Sequence, residues 1–303
     1  MSHPDPSQPA KGSTMKDTLP IPVTAPLSNA QKTQLLNLVR RAARAEILPR
    51  FRQLDSGDID TKADEMDLVT AADTGAEAMI TRGLQMAFPH ALVIGEEAIS
   101  KKPDLLDGVG AAELCFIIDP VDGTWNFARG MPLFGTIIAV CRFGQPVFGM
   151  IYDPVGDDAV MADNTSPALW QTRTGRHRPI KTRAPKPLSE MVGYMHIRLM
   201  APADQAIMWR KVGVLAHAGA LRCSAHEYRL LATGAVDFVL SSHLNSWDHA
   251  AGSLICAQAG GKSAMLDDTP YDATKTSGFL LTASSPETWD RVAAHFADLL
   301  SDS

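Results

Sequence analysis

The chain has 303 residues, of which 45% are hydrophobic and 20% are charged, the composition of a globular protein with a sizeable core and not of a disordered one. Its formal net charge of −6 and isoelectric point of about 5.8 make it a poor electrostatic partner for nucleic acid or an anionic membrane, so neither partner is expected. No apolar stretch approaches the ~20 residues that span a bilayer.

The N-terminal segment, residues 1–27, is rich in Pro, Ser and Thr and lacks the apolar run of a secretory signal. We interpret it as a mobile tail, within which Met15 is a second candidate start. The cysteines lie in apolar or mixed surroundings and form no C-x-x-C pair, which predicts reduced thiols of a cytoplasmic protein rather than disulfides or zinc ligands. They are Cys115, Cys141, Cys223 and Cys256.

The first predicted helix begins at Ser28, which forms a capping box with Gln31, and apolar residues at helical spacing extend it to about Pro49. The stretch 52–66 is charged, contains a glycine and has no periodicity. It predicts an exposed loop, which is either a lid near a functional site or a mobile segment without that role.

Strands and helices then alternate as far as residue 185. An extended segment at 67–70 leads into a helix with one apolar face, and two short apolar strands, ALVIGEE (91–97) and LCFIIDP (114–120), both end in carboxylates. The stretch GTIIAVCRFGQPVFGMIYDP predicts an antiparallel hairpin that turns at 144–146, and a second hairpin is predicted to turn near Gly175.

The second half begins near Lys186 and alternates strand and helix more regularly. Its predicted strands are MVGYMHI, LRCSA, VDFVLSS and FLLTAS, and its predicted helices are HEYRLLATG, WDHAAGSLICAQAGG and SPETWDRVAAHFADLL. The pattern predicts an α/β (α+β) protein with an N-terminal subdomain at 28–185 and a C-terminal α/β subdomain at 186–303.

Acidic side chains recur where predicted strands end or helices begin, which is where α/β folds place ligand sites. Two unit charges ~4 Å apart repel by about 4 kcal/mol at an effective dielectric constant of 20. Mg²⁺, a hard cation that prefers oxygen ligands, would remove that repulsion. The residues concerned are Asp73, Glu96, Glu97, Asp119, Asp122 and Asp248.

The stretch DPVDGTWNF (119–127) combines the groups that a metal and a phosphate need. Asp119 and Asp122 flank the Val121 carbonyl, so one turn would supply two carboxylates and a backbone oxygen. Gly123 permits close backbone approach, and a helix starting there would offer N–H groups to an anion, while Thr124 would orient a water. A solvated D-x-x-D turn is the alternative, with Asp73 and Asp248 acting only as helix caps.

Other catalytic signatures are absent from the sequence. It contains no H-E-x-x-H, G-x-S-x-G, Walker A or G-x-G-x-x-G motif, which argues against a zinc protease, a serine hydrolase, a P-loop NTPase and a dinucleotide-binding enzyme. An EF-hand loop is also absent, which disfavours a structural Ca²⁺ module.

Four ordered blocks resemble the inositol monophosphatase family of metal-dependent phosphatases. They are DLVTAAD (67–73), GEE (95–97), DPVDGTWNF (119–127) and WDHAAGSLICAQAGG (247–261). The resemblance implies a layered α/β/α/β/α sandwich of the inositol monophosphatase and fructose-1,6-bisphosphatase type. It also implies a homodimer and a lithium-sensitive, Mg²⁺-dependent phosphomonoesterase that uses a metal-activated water.

The resemblance also assigns metal ligands among these residues. Glu96, Asp119 and the Val121 carbonyl would hold one Mg²⁺, and Asp119, Asp122 and Asp248 would hold a second. A third, weaker ion would share Glu96, which is therefore both a ligand and a catalytic residue.

The remaining assignments concern the water and the phosphate. Asp73 and Thr124 would form the pair that helps to activate the attacking water, and the amides of Gly123 and Thr124 would bind the phosphate.

Substrate contacts are less well defined. Ser241 stands where the animal enzymes have an acidic residue that contacts inositol. His226 and Glu227 are either additional substrate contacts or the start of a helix, and Trp125 lines the pocket mouth or packs. Inositol monophosphate is the expected substrate; histidinol phosphate, a 3′(2′),5′-bisphosphate nucleotide and fructose 1,6-bisphosphate are the alternatives. A non-catalytic regulatory binding protein is the alternative of another class.

Overall fold

The computed structural model describes residues 27–54, 59–61 and 68–301. Most of the predicted tail and of the predicted lid at 52–66 therefore lies outside the described residues. The helices are α1 Asn29–Ala42, α2 Ala71–Ala87, α3 Glu96–Lys101, α4 Thr124–Ala128, α5 Pro202–Lys211, α6 Ser224–Ala232, α7 Ser246–Gln258 and α8 Pro286–His295.

The strands form two large sheets and one small one. They are β1 Ile59–Thr61, β2 Leu68–Thr70, β3 Leu92–Gly95, β4 Cys115–Asp122, β5 Gly135–Arg142, β6 Gln145–Asp153, β7 Asp158–Asp163, β8 Ser166–Gln171, β9 His177–Pro179, β10 Val192–Met195, β11 His217–Gly219, β12 Phe238–Ser241, β13 Lys262–Met265 and β14 Leu280–Ala283.

Helices and sheets alternate in five layers. In the part of the chain that the structure describes, one sheet has the order β3-β4-β5-β6-β7-β8-β9 and the other the order β11-β10-β12-β14-β13. Apolar side chains of α1 and α2 pack on one face of the first sheet, and α6 and α7 lie between the sheets. Helices α5 and α8 cover the outer face of the second sheet. This arrangement confirms the α/β/α/β/α sandwich.

The burial of β4 explains why its sequence is almost entirely apolar. Phe116 and Ile118 belong to the core under α1 and α2, whereas Cys115 and Ile117 belong to the core under α6 and α7. A strand that is buried on both faces has a continuous run of apolar residues, whereas a strand with one exposed face alternates apolar and polar residues.

Several predicted elements are confirmed. The Ser28–Gln31 capping box is formed, with Ser28 N donating to Gln31 Oε1 at 2.8 Å, and α1 continues into a π-helical turn that ends at Ile47. The chain passes from β9 to β10 between residues 179 and 192, so the predicted subdomain boundary at 185/186 falls between the two large sheets. Independent subdomains stay a prediction.

Other predicted elements are wrong. LRCSA is not a strand: residues 221–223 form an irregular connection after β11, and α6 begins at Ser224. The β5–β6 hairpin turns at Phe143 and Gly144, both at positive φ, so 145–146 begin β6. The predicted loop contains β1, which is stabilised by hydrogen bonds to β2. A strand of three residues is too short to show a hydrophobic periodicity, so the sequence did not predict it. The sequence reading also missed β7 and β13.

The sheet brings two acidic segments to one edge. Strands β3 and β4 are parallel, and Gly95 pairs with Ile118. Glu96, the first residue of α3, follows Gly95, and Asp119 follows Ile118 within β4, where it still pairs with Ile137 of β5. The parallel pairing therefore brings these two carboxylates close together. The β4–β5 register shifts between Asp119 and Asp122, a bulge that re-aims side chains at the end of a strand.

None of the helices within the described ranges combines the length and apolar character needed to cross a membrane.

Helix α7 carries Asp248 and lies directly on β6 because Gly149 has no side chain. A Cβ at position 149 would lie 2.6 Å from the carbonyl oxygen of Ala251 and 2.9 Å from its Cα. Backbone atoms cannot move aside as a flexible side chain would. Gly149→Ala is therefore expected to lower the free energy of unfolding by about 1–3 kcal/mol and to weaken Mg²⁺ binding by displacing α7.

The matched control is Gly213→Ala, because a Cβ there meets no atom within 4 Å. Thermal unfolding and Mg²⁺ titration of both variants check this prediction. A Gly149→Ala protein as stable as the Gly213→Ala protein would contradict it.

Candidate active site and metal centre

Three carboxylates from two elements converge at one point. Asp119 and Asp122 lie at the end of β4, and Asp248 lies in the first turn of α7. One oxygen of each lies within 4.8 Å of one oxygen of the others. Asp119 and Asp122 are buried, so water screens their mutual repulsion poorly.

The electrostatics of these groups reflect that crowding. Burial raises the pKa of Asp119 well above its usual value, and the charges of Glu96 and Asp122 raise it further. Burial, followed by the charge of Asp248, raises the pKa of Asp122 to about 7. Burial also raises the pKa of Asp248, although a hydrogen bond from Asn245 opposes the shift. The ionised cluster therefore needs a compensating cation.

Asp119 has the strongest signature of a metal ligand. Its Oδ1 is buried and has no hydrogen-bond partner among the described residues. A buried acceptor without a donor is costly, and a cation supplies the missing interaction. With Asp122 and Asp248 it forms an all-oxygen donor set, which suits Mg²⁺.

Hydrogen bonds from α6 and its preceding connection orient Asp122. Its Oδ2 accepts from the Ala225 amide at 2.5 Å and from the Cys223 thiol at 3.1 Å. Asp248 is held similarly, because Asn245 Nδ2 donates to its Oδ2 at 3.1 Å. One oxygen of each carboxylate is thus fixed by the protein.

Asp73 and Thr124 form a direct hydrogen-bonded pair. Oδ2 of Asp73 accepts from the Thr70 amide at 2.8 Å and from the Thr70 hydroxyl at 2.5 Å. Its Oδ1 lies 3.1 Å from Thr124 Oγ1, which is also 3.0 Å from the Val121 carbonyl oxygen. Burial and the nearby charges of Glu96 and Glu97 raise the pKa of Asp73 to about 7, against the opposing hydrogen bonds from Thr70.

Glu77 positions the segment that carries Glu96. Its two oxygens accept from the Glu97 amide at 2.8 Å and the Ala98 amide at 2.9 Å, which caps the start of α3. Glu96 is the first residue of that helix. The sequence analysis missed this role because Glu77 lies 20 residues before Glu97 in the chain and belongs to no recognisable motif.

A cavity of about 580 Å³ opens over this cluster. Its wall includes six of the predicted site residues: Glu96, Asp122, Gly123, Thr124, Ser241 and Asp248. Trp125, His196, Arg222 and His243 also lie on the wall. Gly123 has a φ of +87°, and a Cβ there would lie 2.7 Å from the Leu133 carbonyl, so only glycine fits this turn.

His226 and Glu227 do not lie on the cavity wall. His226 Nε2 donates to the Phe134 carbonyl at 3.2 Å. Glu227 is buried, and its Oε1 accepts from the Leu221 amide at 2.6 Å and from His196 Nε2 at 3.1 Å. The structure thus gives both residues contacts within the protein, and Glu227 instead holds His196, which does line the cavity.

Asn126, the asparagine of DPVDGTWNF, had no role in the sequence analysis. Its Nδ2 donates to the Leu133 and Leu221 carbonyls, both at 2.9 Å. It therefore ties α4 to the connection that carries Arg222 and Cys223. The motif singles out Asn126 in the sequence, but it does not show which segment of the chain the Asn126 side chain contacts.

The inositol monophosphatase family model matches residues 28–300. The chain belongs to the inositol monophosphatase family. It is 28% identical over 221 residues to the inositol-1-monophosphatase of Bacillus subtilis, covering 70% of this chain and 78% of the relative. It is 30% identical over 232 residues to the Nus factor SuhB of Pseudomonas aeruginosa, covering 75% and 83%.

Among solved structures, Thermotoga maritima IMPase superposes with a TM-score of 0.74 at 23% identity, covering 90% of this chain and 99% of that chain. This likeness shows the fold. The family consists of metal-dependent phosphatases, and the acidic cluster of this chain could hold a metal ion.

The metal-free protein is expected to become less stable as pH rises from about 4 to about 8. Asp73 and Asp122 hold protons up to a pKa of about 7 when folded, whereas their reference pKa is 3.8. The folded state binds more protons between these values, so these groups stabilise it at low pH and lose that contribution as pH rises through 7. Mg²⁺ should therefore raise the Tm more at pH 8 than at pH 5.

Calorimetry with EDTA or Mg²⁺ at several pH values checks this expectation. Asp122→Asn should flatten the pH dependence and reduce the Mg²⁺ effect, whereas Asp107→Asn, which changes an exposed residue, should do neither. Equal responses of these two variants would contradict the assignment.

Proposed function

We propose that the protein is a Mg²⁺-dependent phosphomonoesterase that hydrolyses a small phosphorylated polyol and uses two to three ions per site. The observation that carries this proposal is the convergence of buried Asp119 and Asp122 with half-buried Asp248 beside the Asp73–Thr124 pair. Magnesium held there would polarise the phosphoryl oxygens and lower the pKa of a water molecule toward neutrality.

The chain's own groups account for the rest of the reaction. Asp73 is anchored through Oδ2, which leaves Oδ1 for the Thr124 hydroxyl. Since Thr124 has one proton to donate to Asp73 or Val121, its oxygen lone pairs accept a hydrogen bond from the attacking water. The Gly123 and Thr124 amides at the start of α4 would bind the phosphate.

Inositol monophosphate is the first substrate to test, because the site residues match the family pattern. A cavity of about 580 Å³ suits a small phosphorylated molecule. Histidinol phosphate, a 3′(2′),5′-bisphosphate nucleotide and fructose 1,6-bisphosphate are the alternatives. We also propose a cytoplasmic, lithium-sensitive homodimer; the buried free cysteines fit a reducing compartment.

A non-catalytic regulatory role is the second candidate, because one relative is named a Nus factor. The acidic net charge and the complete set of carboxylates favour catalysis instead.

Asp119→Asn is expected to reduce Mg²⁺-dependent phosphate release by roughly a thousandfold or more while leaving the fold intact, since it removes the central ligand of the cluster. Phosphate release from inositol 1-phosphate, histidinol phosphate, adenosine 3′,5′-bisphosphate and fructose 1,6-bisphosphate measures this effect. Circular dichroism verifies the fold, and Asp104→Asn at an exposed position is the control. Full activity in Asp119→Asn, or no activity of the wild type on the whole panel, would refute the proposal.

Thr124→Val should lower kcat by roughly 10²- to 10⁴-fold with little change in Mg²⁺ affinity, because it removes the hydroxyl between Asp73 and the water. Thr124→Ser keeps the hydroxyl and should retain most of the activity. If the two variants lose activity equally, the hydroxyl has no catalytic role.

A further inference from the structure

The cavity wall includes a cationic side chain outside the acidic cluster. Arg222 lines the cavity, and its guanidinium carbon lies 4.2 Å from the centre of the Trp125 ring. Trp125 directly follows Thr124, and Arg222 directly precedes Cys223, whose thiol donates to Asp122. A guanidinium is therefore held on the wall of the same cavity as Gly123 and Thr124, the residues proposed to bind the phosphate.

The backbone at Arg222 is strained and locked. Its φ is +55°, a left-handed conformation that is unfavourable for a residue other than glycine. The Leu221 amide donates to Glu227, and Asn126 Nδ2 donates to the Leu221 carbonyl at 2.9 Å. Strain maintained by such hydrogen bonds is characteristic of functional sites.

Trp125 holds a second arginine on the ring. Arg129 also lies 4.2 Å from the ring centre. Arg129 is exposed and is not among the described residues that line the cavity, whereas Arg222 is. The two stacked arginines thus differ in whether their charge lies on the cavity wall.

His196 also lies on the wall. Its Nε2 donates to buried Glu227 at 3.1 Å, so the ring is fixed by the same carboxylate that anchors the Leu221 amide. Ser241 and Ser242 on the wall are neutral. Away from the metal cluster, the wall therefore presents cationic and neutral donors, which match an anion better than a neutral polyol.

We propose that Arg222, stacked on Trp125, binds a second anionic group on the alcohol part of the substrate. The inference rests on the proposed phosphomonoesterase function and narrows it: the substrate is a phosphomonoester whose alcohol bears another phosphate or a carboxylate. Neutral alcohols, inositol included, are then the poorer substrates.

Matched substrate pairs test the inference. Adenosine 3′,5′-bisphosphate with adenosine 3′-phosphate tests a second phosphate, and 2-phosphoglycerate with glycerol 2-phosphate tests a carboxylate. The wild-type enzyme with Mg²⁺ should prefer the doubly anionic member of at least one pair by roughly tenfold to a hundredfold in kcat/KM. The pair that shows the preference identifies the anion.

Arg222→Gln should remove that preference and leave kcat/KM for the singly anionic member within about threefold, because a charge-assisted contact is lost only for the second anion. Arg129→Gln, which removes the other stacked arginine, should retain the preference. Arg222→Gly covers the case in which the glutamine variant misfolds, since glycine adopts a φ of +55° without strain.

Equal kcat/KM within both pairs, or the same change in Arg222→Gln and Arg129→Gln, would overturn the inference while leaving the phosphatase intact. If no compound is hydrolysed, the proposed function fails. Calorimetric titration of the same pairs into the Mg²⁺-loaded protein then still tests whether Arg222 binds a second anionic group. Tighter binding of a doubly anionic compound that Arg222→Gln abolishes supports the subsite, and equal binding refutes it.

Discussion

The repulsion among three crowded carboxylates, two of them buried, is the constraint on which the rest of the site depends. Asp119 and Asp122 come from β4 and Asp248 comes from α7. Beyond the effect of burial, the charges of Asp122 and Asp248 raise the pKa of Asp119, and that of Asp248 raises the pKa of Asp122. Such a group of like charges opposes folding unless a cation compensates it. The layered fold enforces the approach, because Gly149 lets α7 lie directly on β6 and thereby brings Asp248 to the end of β4. Metal binding and packing of the central helix layer are therefore coupled.

Hydrogen bonds supply what a cation alone cannot, namely the orientation of each carboxylate before the metal arrives. Asp122 is held by the Ala225 amide and Asp73 by Thr70, while Glu77 fixes the helix start that carries Glu96. These contacts fix one carboxylate oxygen of Asp122 and one of Asp73, and they fix the first turn of the helix that begins at Glu96. Because these side chains are already oriented, they need not reorganise during the reaction, and the Thr124 hydroxyl is in position before the substrate binds.

The sequence predicted those parts of the molecule that local patterns determine. The Ser28 cap, the apolar run of β4 with its terminal carboxylates, and α7 closed by Gly260 at positive φ all have local causes. The connection at 221–223 was mistaken for a strand because its conformation depends on two tertiary hydrogen bonds. Asn126 Nδ2 donates to the Leu221 carbonyl, and the Leu221 amide donates to Glu227 in the next helix. The donors around the carboxylates escaped prediction for the same reason: they are tertiary contacts.

The short helix α4 connects the chemistry to the choice of substrate. Thr124 contacts Asp73, Asn126 holds the 221–222 backbone, and Trp125 between them carries the Arg222 guanidinium on its ring. Because Asn126 and Glu227 fix that backbone through main-chain atoms, the side chain at 222 can change without moving the Cys223 thiol that contacts Asp122. A site built this way can alter which alcohol it accepts while its metal ligands stay in place.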